Sequence, residues 1–115
     1  MSVYENNDLQ RYINDIARYL GNSVDEDIVR KLVGYLSIAL KGKDARYVAA
    51  GDPAELAYVV KNWVQKILHV DPEPAKQAVD ETASRMRQDS HKNRVTFYYL
   101  VAEKLDKLEE IRKLS

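Results

Sequence analysis

The 115-residue chain contains no cysteine. This absence excludes disulfides, thiolate metal sites and cysteine nucleophiles together, and it favours a cytoplasmic protein because small secreted domains usually carry disulfides. No apolar run approaches the roughly 18 residues that a transmembrane helix needs. The segment Met1–Asp8 also lacks the basic and apolar regions of a signal peptide, so we expect neither a membrane span nor a secretory leader.

A surplus of charge is missing as well, since 18 basic residues balance 18 acidic ones. Proteins that bind nucleic acid usually carry a basic surplus, so the composition disfavours nucleic acid as a partner. The four glycines are scattered and form no loop that could cradle a phosphate. His69, Asp71 and Glu73 match no zinc or calcium spacing and are expected in a solvent-facing loop. We therefore predict no catalytic residue, cofactor or metal site.

What the sequence does contain is helical periodicity in nearly every segment. We predict a single all-α domain over residues 1–115, a compact bundle of about five helices with short connections. Residues 1–6 are expected to be a flexible N-terminus. The first helix should start with Asn7 or Asp8 as its cap and end at Gly21 in the left-handed conformation.

Local capping patterns predict where the next helices start. Ser23 and Glu26 form a capping box for a helix that should continue to Gly42 and lie centrally in the fold, because it is apolar on two sides. Asp-Pro pairs at Asp52 and Asp71 predict two further starts.

The segments around these starts are less regular. The connector over residues 43–50 holds at most one helical turn, at Tyr47 and Val48. The helix that begins at Asp52 has an apolar face of Leu56, Val60, Trp63, Val64 and Ile67. The helix that begins at Asp71 has a thin face of Ala75, Ala78, Val79, Ala83 and Met86. We expect it to be peripheral and to end near Gln88.

The C-terminal segment from Asn93 to Leu114 has the densest run of large apolar residues in the chain. Its first part, residues 95–101, is rich in residue types that favour strands, so a buried strand is the competing interpretation. We predict one continuous helix, capped by Ser90 or Asn93, because no second strand is visible for it to pair with.

Two apolar stripes run along this last helix, and one face cannot bury both. The outer stripe consists of Phe97, Leu100, Leu108 and Ile111. We favour burial of both stripes in the domain's own core, since apolar stripes at helical spacing usually mean core. The alternative is a homodimer or another protein partner that covers the outer stripe and nearby tyrosines, because tyrosine is enriched at interface cores.

One local basic cluster precedes the last helix. Its members are Arg85, Arg87, Lys92 and Arg94. The exposed amides and the dipole of a helix start favour anions, so phosphate, a nucleotide or an acidic partner could bind there. A solvated corner between two helices is the favoured interpretation, because a charge run without a matching motif usually faces solvent.

Four segments of the chain resemble a small bacterial family of uncharacterised helical proteins. They are Ala39–Val48, Asp52–Leu56, Asn62–Leu68 and Arg94–Leu105. The likeness extends over about Ile28–Leu108. It implies a compact, all-helical bacterial protein of the cytosol, and it brings no activity and no catalytic residues.

These observations favour a non-enzymatic protein–protein interaction module, with homodimerisation as one form of it. The alternative function is anion or nucleic-acid binding through the basic corner at residues 85–94. An enzyme stays open as a third hypothesis, because side chains that are distant in sequence can converge in a fold.

Overall fold

A computed structural model describes residues 6–42 and 44–114, with side chains from Asp8 onward. Its helices are α1 (Asn6–Leu20), α2 (Glu26–Tyr35), α3 (Ser37–Lys41), α4 (Pro53–Val59), α5 (Pro72–Arg85), α6 (Arg94–Lys104) and α7 (Leu108–Arg112). A 3-10 turn, Gly21–Ser23, follows α1, and α4 continues into a π-helical turn, Val60–Gln65. The strands are β1 (Tyr47–Val48) and β2 (Lys92–Asn93). Five helices have seven residues or more, which confirms the predicted all-α bundle.

The ends of α1 agree only in part with the prediction. Gly21 adopts a φ of +61° and ends the helix, as expected. Asn7 and Asp8 are not caps, because the helix already includes Asn6. Residues 1–5 of the predicted flexible N-terminus lie outside the described residues.

The cap of α2 is Asp25, and the predicted capping box at Ser23 is wrong. The Asp25 carboxylate accepts hydrogen bonds from the amides of Asp27 at 3.0 Å and Ile28 at 3.3 Å. Ser23 instead ends the 3-10 turn, and the extended backbone of Val24 moves the helix start along the chain. Local capping rules identified the right region but could not choose between two competent side chains.

The helix predicted to reach Gly42 is interrupted at Leu36, whose backbone has a ψ of 10°. Leu36 lies in the core, whereas Ile38 on α3 is 84% exposed. The connector then contains β1 rather than a helical turn. Tyr47 pairs with Asn93 and Val48 with Lys92 in antiparallel register.

The Asp52 cap is confirmed, since its carboxylate accepts from the amide of Ala54 at 3.0 Å. The π-helical turn that follows rotates the apolar face, because its hydrogen bonds span five residues instead of four. The buried residues of this segment are Val59, Trp63, Val64 and Leu68. Leu56, Val60 and Ile67, which were predicted on that face, are only partly buried.

The helix α5 begins at Pro72 as expected but ends at Arg85, before the predicted Gln88. Its buried face is close to the predicted one, with Ala75, Ala78, Val79, Thr82 and Met86 buried. Ala83 is only partly buried. Small side chains on this face let α5 pack closely against α6 and the π-helical turn.

The predicted C-terminal helix is two helices. Asn93 caps α6 by accepting from the amide of Val95 at 3.0 Å, so the helical interpretation of residues 95–101 is confirmed. The chain then turns at Asp106, which has a φ of +58°. Aspartate adopts this left-handed conformation more readily than most residues do. The turn allows α7 to pack against α2 and bury Ile111 completely.

The central helix is α6, not the segment from residue 26 to 42. Every residue from Arg94 to Ala102 is buried, and α6 packs against α1, α2, α5 and the π-helical turn. The buried apolar residues form one continuous cluster around it. Within the described part of the chain, no helix is long and apolar enough to cross a membrane.

Candidate protein-binding face

The chain itself covers most of the predicted interface stripe. Phe97, Leu100 and Ile111 are at most 1% exposed, and Leu108 is partly buried against the same core. A partner could reach them only if the core opened. The stripe therefore belongs to the core of this chain, which is the interpretation that helical spacing favoured, and an interface must be sought elsewhere.

The cations of the predicted basic corner do not converge on one point, because three of them are directed at different backbone carbonyls. Arg85 donates to the carbonyl of Tyr19 at 3.0 Å, Arg87 to that of Ser84 at 3.1 Å, and Lys92 to that of Asp89 at 2.8 Å. The fourth cation, Arg94, points into the protein. The start of α6, which was expected to offer free amides and positive charge to an anion, is buried.

Arg94 is 6% exposed and fastens α6 to the preceding segments. Its guanidinium lies 2.5 Å from a carboxylate oxygen of Glu55 on α4 and donates to the Tyr98 hydroxyl at 3.0 Å. It also donates to the carbonyls of Ala45 and Tyr47, at 2.5 and 3.1 Å. Burial acts to lower the pKa of Arg94, but Tyr98 and Glu55 outweigh it and the net direction is upward. The side chain is therefore charged, paired and structural.

Beside this ion pair, an aromatic stack reaches from the core to the surface. The rings of Trp63 and Tyr98 are stacked with centroids 4.8 Å apart, and the ring of Tyr35 lies 5.6 Å from that of Trp63. The Trp63 indole donates to the carbonyl of Tyr98 at 3.3 Å. Trp63 is completely covered, whereas Tyr35 is 44% exposed. The buried rings of Trp63 and Tyr98 thus support the exposed ring of Tyr35.

Three large apolar side chains are exposed within the described part of the chain; one belongs to this stack, and another lines a cavity together with Tyr98. They are Tyr35, Ile38 and Tyr58, with exposures of 44%, 84% and 55%. We call them the aromatic face. Burial, and to a lesser extent the charge of Tyr58, raises the pKa of Tyr35. Ile38 lies one helical turn beyond Tyr35, on α3.

A cavity of about 290 Å³ opens beside Tyr58 of the aromatic face. Its apolar lining comes from Leu36, Ala39, Tyr58 and Tyr98, and the Arg94–Glu55 pair lies at its polar side. Burial raises the pKa of Tyr98 to about 12, so this phenol is neutral at physiological pH. The cavity therefore presents apolar surface and hydroxyl groups, with no unpaired charge that a partner would have to neutralise.

A family of known proteins matches most of this chain. Residues 11–109 match the family described as "Protein of unknown function (DUF2853)". The chain belongs to this family. The match includes all of the aromatic face and most of the core, and it confirms the resemblance seen in the sequence to an uncharacterised helical family. No curated protein matches the chain.

The histidines of this DUF2853 member occupy separate surface positions. His69 is exposed, has a φ of +61°, and lies 3.9 Å from a carboxylate oxygen of Glu110. His91 packs its ring against Tyr47, with centroids 5.0 Å apart. Among the described residues, no three histidine, aspartate or glutamate side chains come together as a metal site would require.

Periodicity did not reveal the aromatic face. The sequence predicted a continuous helix that is apolar on two sides and made no prediction for Tyr35 or Ile38. Ile38 is 84% exposed and Tyr35 is 44% exposed. A usable signal was nevertheless present, because large apolar residues that fall outside both stripes of a helix need a separate explanation.

Proposed function

We propose that the protein is an interaction module that self-associates through the aromatic face. The proposal rests on the exposure of three large apolar side chains, Tyr35, Ile38 and Tyr58, and on an apolar cavity that is lined by Tyr58 and by Ala39, the neighbour of Ile38 in the chain. Soluble monomers rarely leave large apolar side chains clustered on one surface, and tyrosine is enriched in the cores of interfaces. Because Trp63 and Tyr98 support the face from below, it needs little ordering when it binds.

A second copy of the chain is the occupant that suits this face. A two-fold interface uses the same patch on both partners, so the patch must carry both a projection and a recess. Ile38 is the projection, and the cavity beside Leu36 and Ala39 is the recess. Each copy can insert Ile38 into the recess of the other. The contact closes on itself and involves no unpaired charge, since Arg94 and Glu55 already neutralise each other.

We also infer that the module works in the bacterial cytosol. The inference rests on the absence of cysteine and on the family resemblance of the sequence. Detection of the protein in fractionated cells tests this location, and recovery with the periplasmic fraction would contradict it.

The experiment is a comparison of molar mass over a concentration series, by light scattering after size exclusion or by sedimentation equilibrium. The native chain should approach the dimer mass as concentration rises. Ile38→Glu should remain a monomer, because each dimer loses two buried isoleucines at about 1.5 kcal/mol or more apiece, which weakens association by roughly 150-fold.

Ser84→Glu is the matched control, since it adds the same charge at an exposed position on α5. Ser84 lies away from α3, the helix that carries Ile38. The residue after Ser84, Arg85, contacts Tyr19 near the end of α1, whereas α3 lines a cavity with Arg11 near the start of α1. The control should dimerise like the native chain. A native chain that stays monomeric at millimolar concentration, or an Ile38→Glu variant that dimerises equally well, would show that the proposal is wrong.

A further inference from the structure

A second surface has the opposite character to the aromatic face. We call it the cationic cleft, a recess of about 620 Å³ between α1 and the β1–β2 pair. Its lining includes Arg11 and Arg18 from α1, Arg46 and Tyr47 from the first strand region, and His91 and Asn93 from the second. The antiparallel pairing of Tyr47 with Asn93 brings these distant segments together. A recess of this volume has the usual size of a small-molecule site.

The cations of the cleft differ in how far they are already neutralised. Arg18 lies 2.7 Å from Asp15 and 2.6 Å from Asp89, so its charge is compensated twice. Arg11 has a longer contact, 3.5 Å, with the exposed carboxylate of Asp8. No ion pair joins Arg46 to another described residue, and its guanidinium instead lies 5.2 Å from the centroid of the Tyr47 ring. Arg11 and Arg46 are therefore the cations with capacity for an added anion.

These two arginines occupy the same part of the cleft. Both also line a neighbouring cavity of about 250 Å³, together with Tyr12 and Lys41. The two cavities thus meet at Arg11 and Arg46, and Lys41 adds a further positive charge on the far side. An anion at this junction would have guanidinium groups from two segments within reach. Guanidinium groups match the oxygen geometry of phosphates better than ammonium groups do.

Two aromatic rings, tilted by 56° relative to each other, lie next to the arginines. The centroids of the Tyr47 and His91 rings are 5.0 Å apart. His91 is exposed and lines the cleft. Strand pairing at Tyr47 and Asn93 fixes the backbone that carries both rings. Tyr47 is half-buried. Arginine beside accessible aromatic rings is a combination that recognises a phosphate next to a planar group.

We propose that the cationic cleft binds a small phosphate ester that carries a planar ring. Arg11 and Arg46 hold the phosphate, and the ring lies against His91 and Tyr47. The site does not suit a long nucleic-acid strand, since strand binders line a groove with many free cations and this chain has a net charge of zero. The proposal is independent of self-association, because it uses none of the residues of the aromatic face.

The test is a titration of the native chain followed by ¹H–¹⁵N chemical shifts, with adenosine monophosphate as the probe. Adenosine and inorganic phosphate are the partial probes, and a short oligothymidylate is the strand probe. The monophosphate should cause saturable shifts at Arg46, Tyr47 and His91 in the millimolar range. Each partial probe should bind more weakly, because it lacks either the phosphate or the ring.

Arg11→Gln and Arg46→Gln should each weaken binding of the monophosphate by about tenfold, the loss expected for one charge-assisted hydrogen bond. The matched control is Arg30→Gln on α2. Arg30 is as exposed as Arg11 and makes the same kind of contact, with the carboxylate of Asp27 three residues earlier. The control should bind like the native chain, and unchanged spectra away from the cleft will show that all three variants fold.

Three outcomes would overturn the proposal. The first is the absence of saturable shifts at the cleft. The second is equal weakening in Arg30→Gln and Arg46→Gln, which would indicate unspecific charge attraction. The third is binding of the oligothymidylate that is far tighter per phosphate and steeply dependent on salt, which would identify a strand-binding surface instead.

Discussion

Replacement of Arg94 by methionine should destabilise this fold strongly, because the buried guanidinium serves several groups at once. It donates hydrogen bonds to the carbonyls of Ala45 and Tyr47 and to the hydroxyl of Tyr98. It also forms an ion pair with the carboxylate of Glu55. Methionine fills much of the same space but donates nothing. The variant therefore leaves one buried and two partly buried acceptors without their donor, while the packing volume changes little.

The size of the effect follows from these acceptors. An unsatisfied buried acceptor costs roughly 1–3 kcal/mol, so the buried Tyr98 hydroxyl and the two partly buried carbonyls together indicate a loss of about 3 kcal/mol. A domain of this size has a free energy of unfolding of roughly 5–15 kcal/mol, so the loss is a large part of the total. For a urea slope of roughly 1–3 kcal/mol per M, the unfolding midpoint should fall by about 1 M or more.

The assay is urea denaturation followed by circular dichroism, with Arg112→Met as the control. Arg112 also reaches a carboxylate distant in sequence, that of Asp25 at 2.6 Å, but its side chain is 42% exposed. Water replaces that contact, so the control should change the midpoint little. Equal losses in Arg94→Met and Arg112→Met would refute the reasoning.

A second comparison tests whether Glu55 and Arg94 act as a pair. Glu55→Gln alone should destabilise the protein, because it removes the countercharge of a buried cation. In the Arg94→Met background the same change should be neutral or stabilising, because the carboxylate has lost its partner. Identical effects of Glu55→Gln in both backgrounds would show that the two residues are not coupled.

Two further predictions concern the backbone and pH. Gly21→Ala should cost roughly 1–2 kcal/mol because residue 21 has a φ of +61°, whereas Gly34→Ala in α2 should stabilise by roughly 0.5–1 kcal/mol because an added Cβ meets nothing there. Thermal melts of the two variants check this, and shifts of the same sign would contradict it. Burial raises the pKa of Tyr98 from 10.0 to about 12, so its neutral form is favoured in the folded state. The corresponding stability is complete below pH 10.0 and is lost as the pH rises towards 12. Denaturation of the native chain and of Tyr98→Phe over this range should show the smaller decline in the variant, and equal declines would count against the assignment.

Features governed by neighbouring residues were predictable from the sequence. The helical class follows from apolar periodicity, and the start of α4 follows from Asp52 and Pro53, whose capping geometry needs no distant partner. The end of α1 at Gly21 has the same local cause. The burial of Phe97 and Leu100 was also the favoured interpretation, because apolar side chains at helical spacing usually lie inside.

Features that depend on distant contacts were decided by the tertiary structure. Arg94 looked like part of a basic surface cluster, and only the approach of Glu55 and Tyr98 makes its burial favourable. The turn at Asp106 is stable because it buries Ile111 against α2, a gain that no local pattern reveals. The aromatic face and the cationic cleft arise in the same way. Their side chains are separated in sequence, and only packing brings them onto common surfaces.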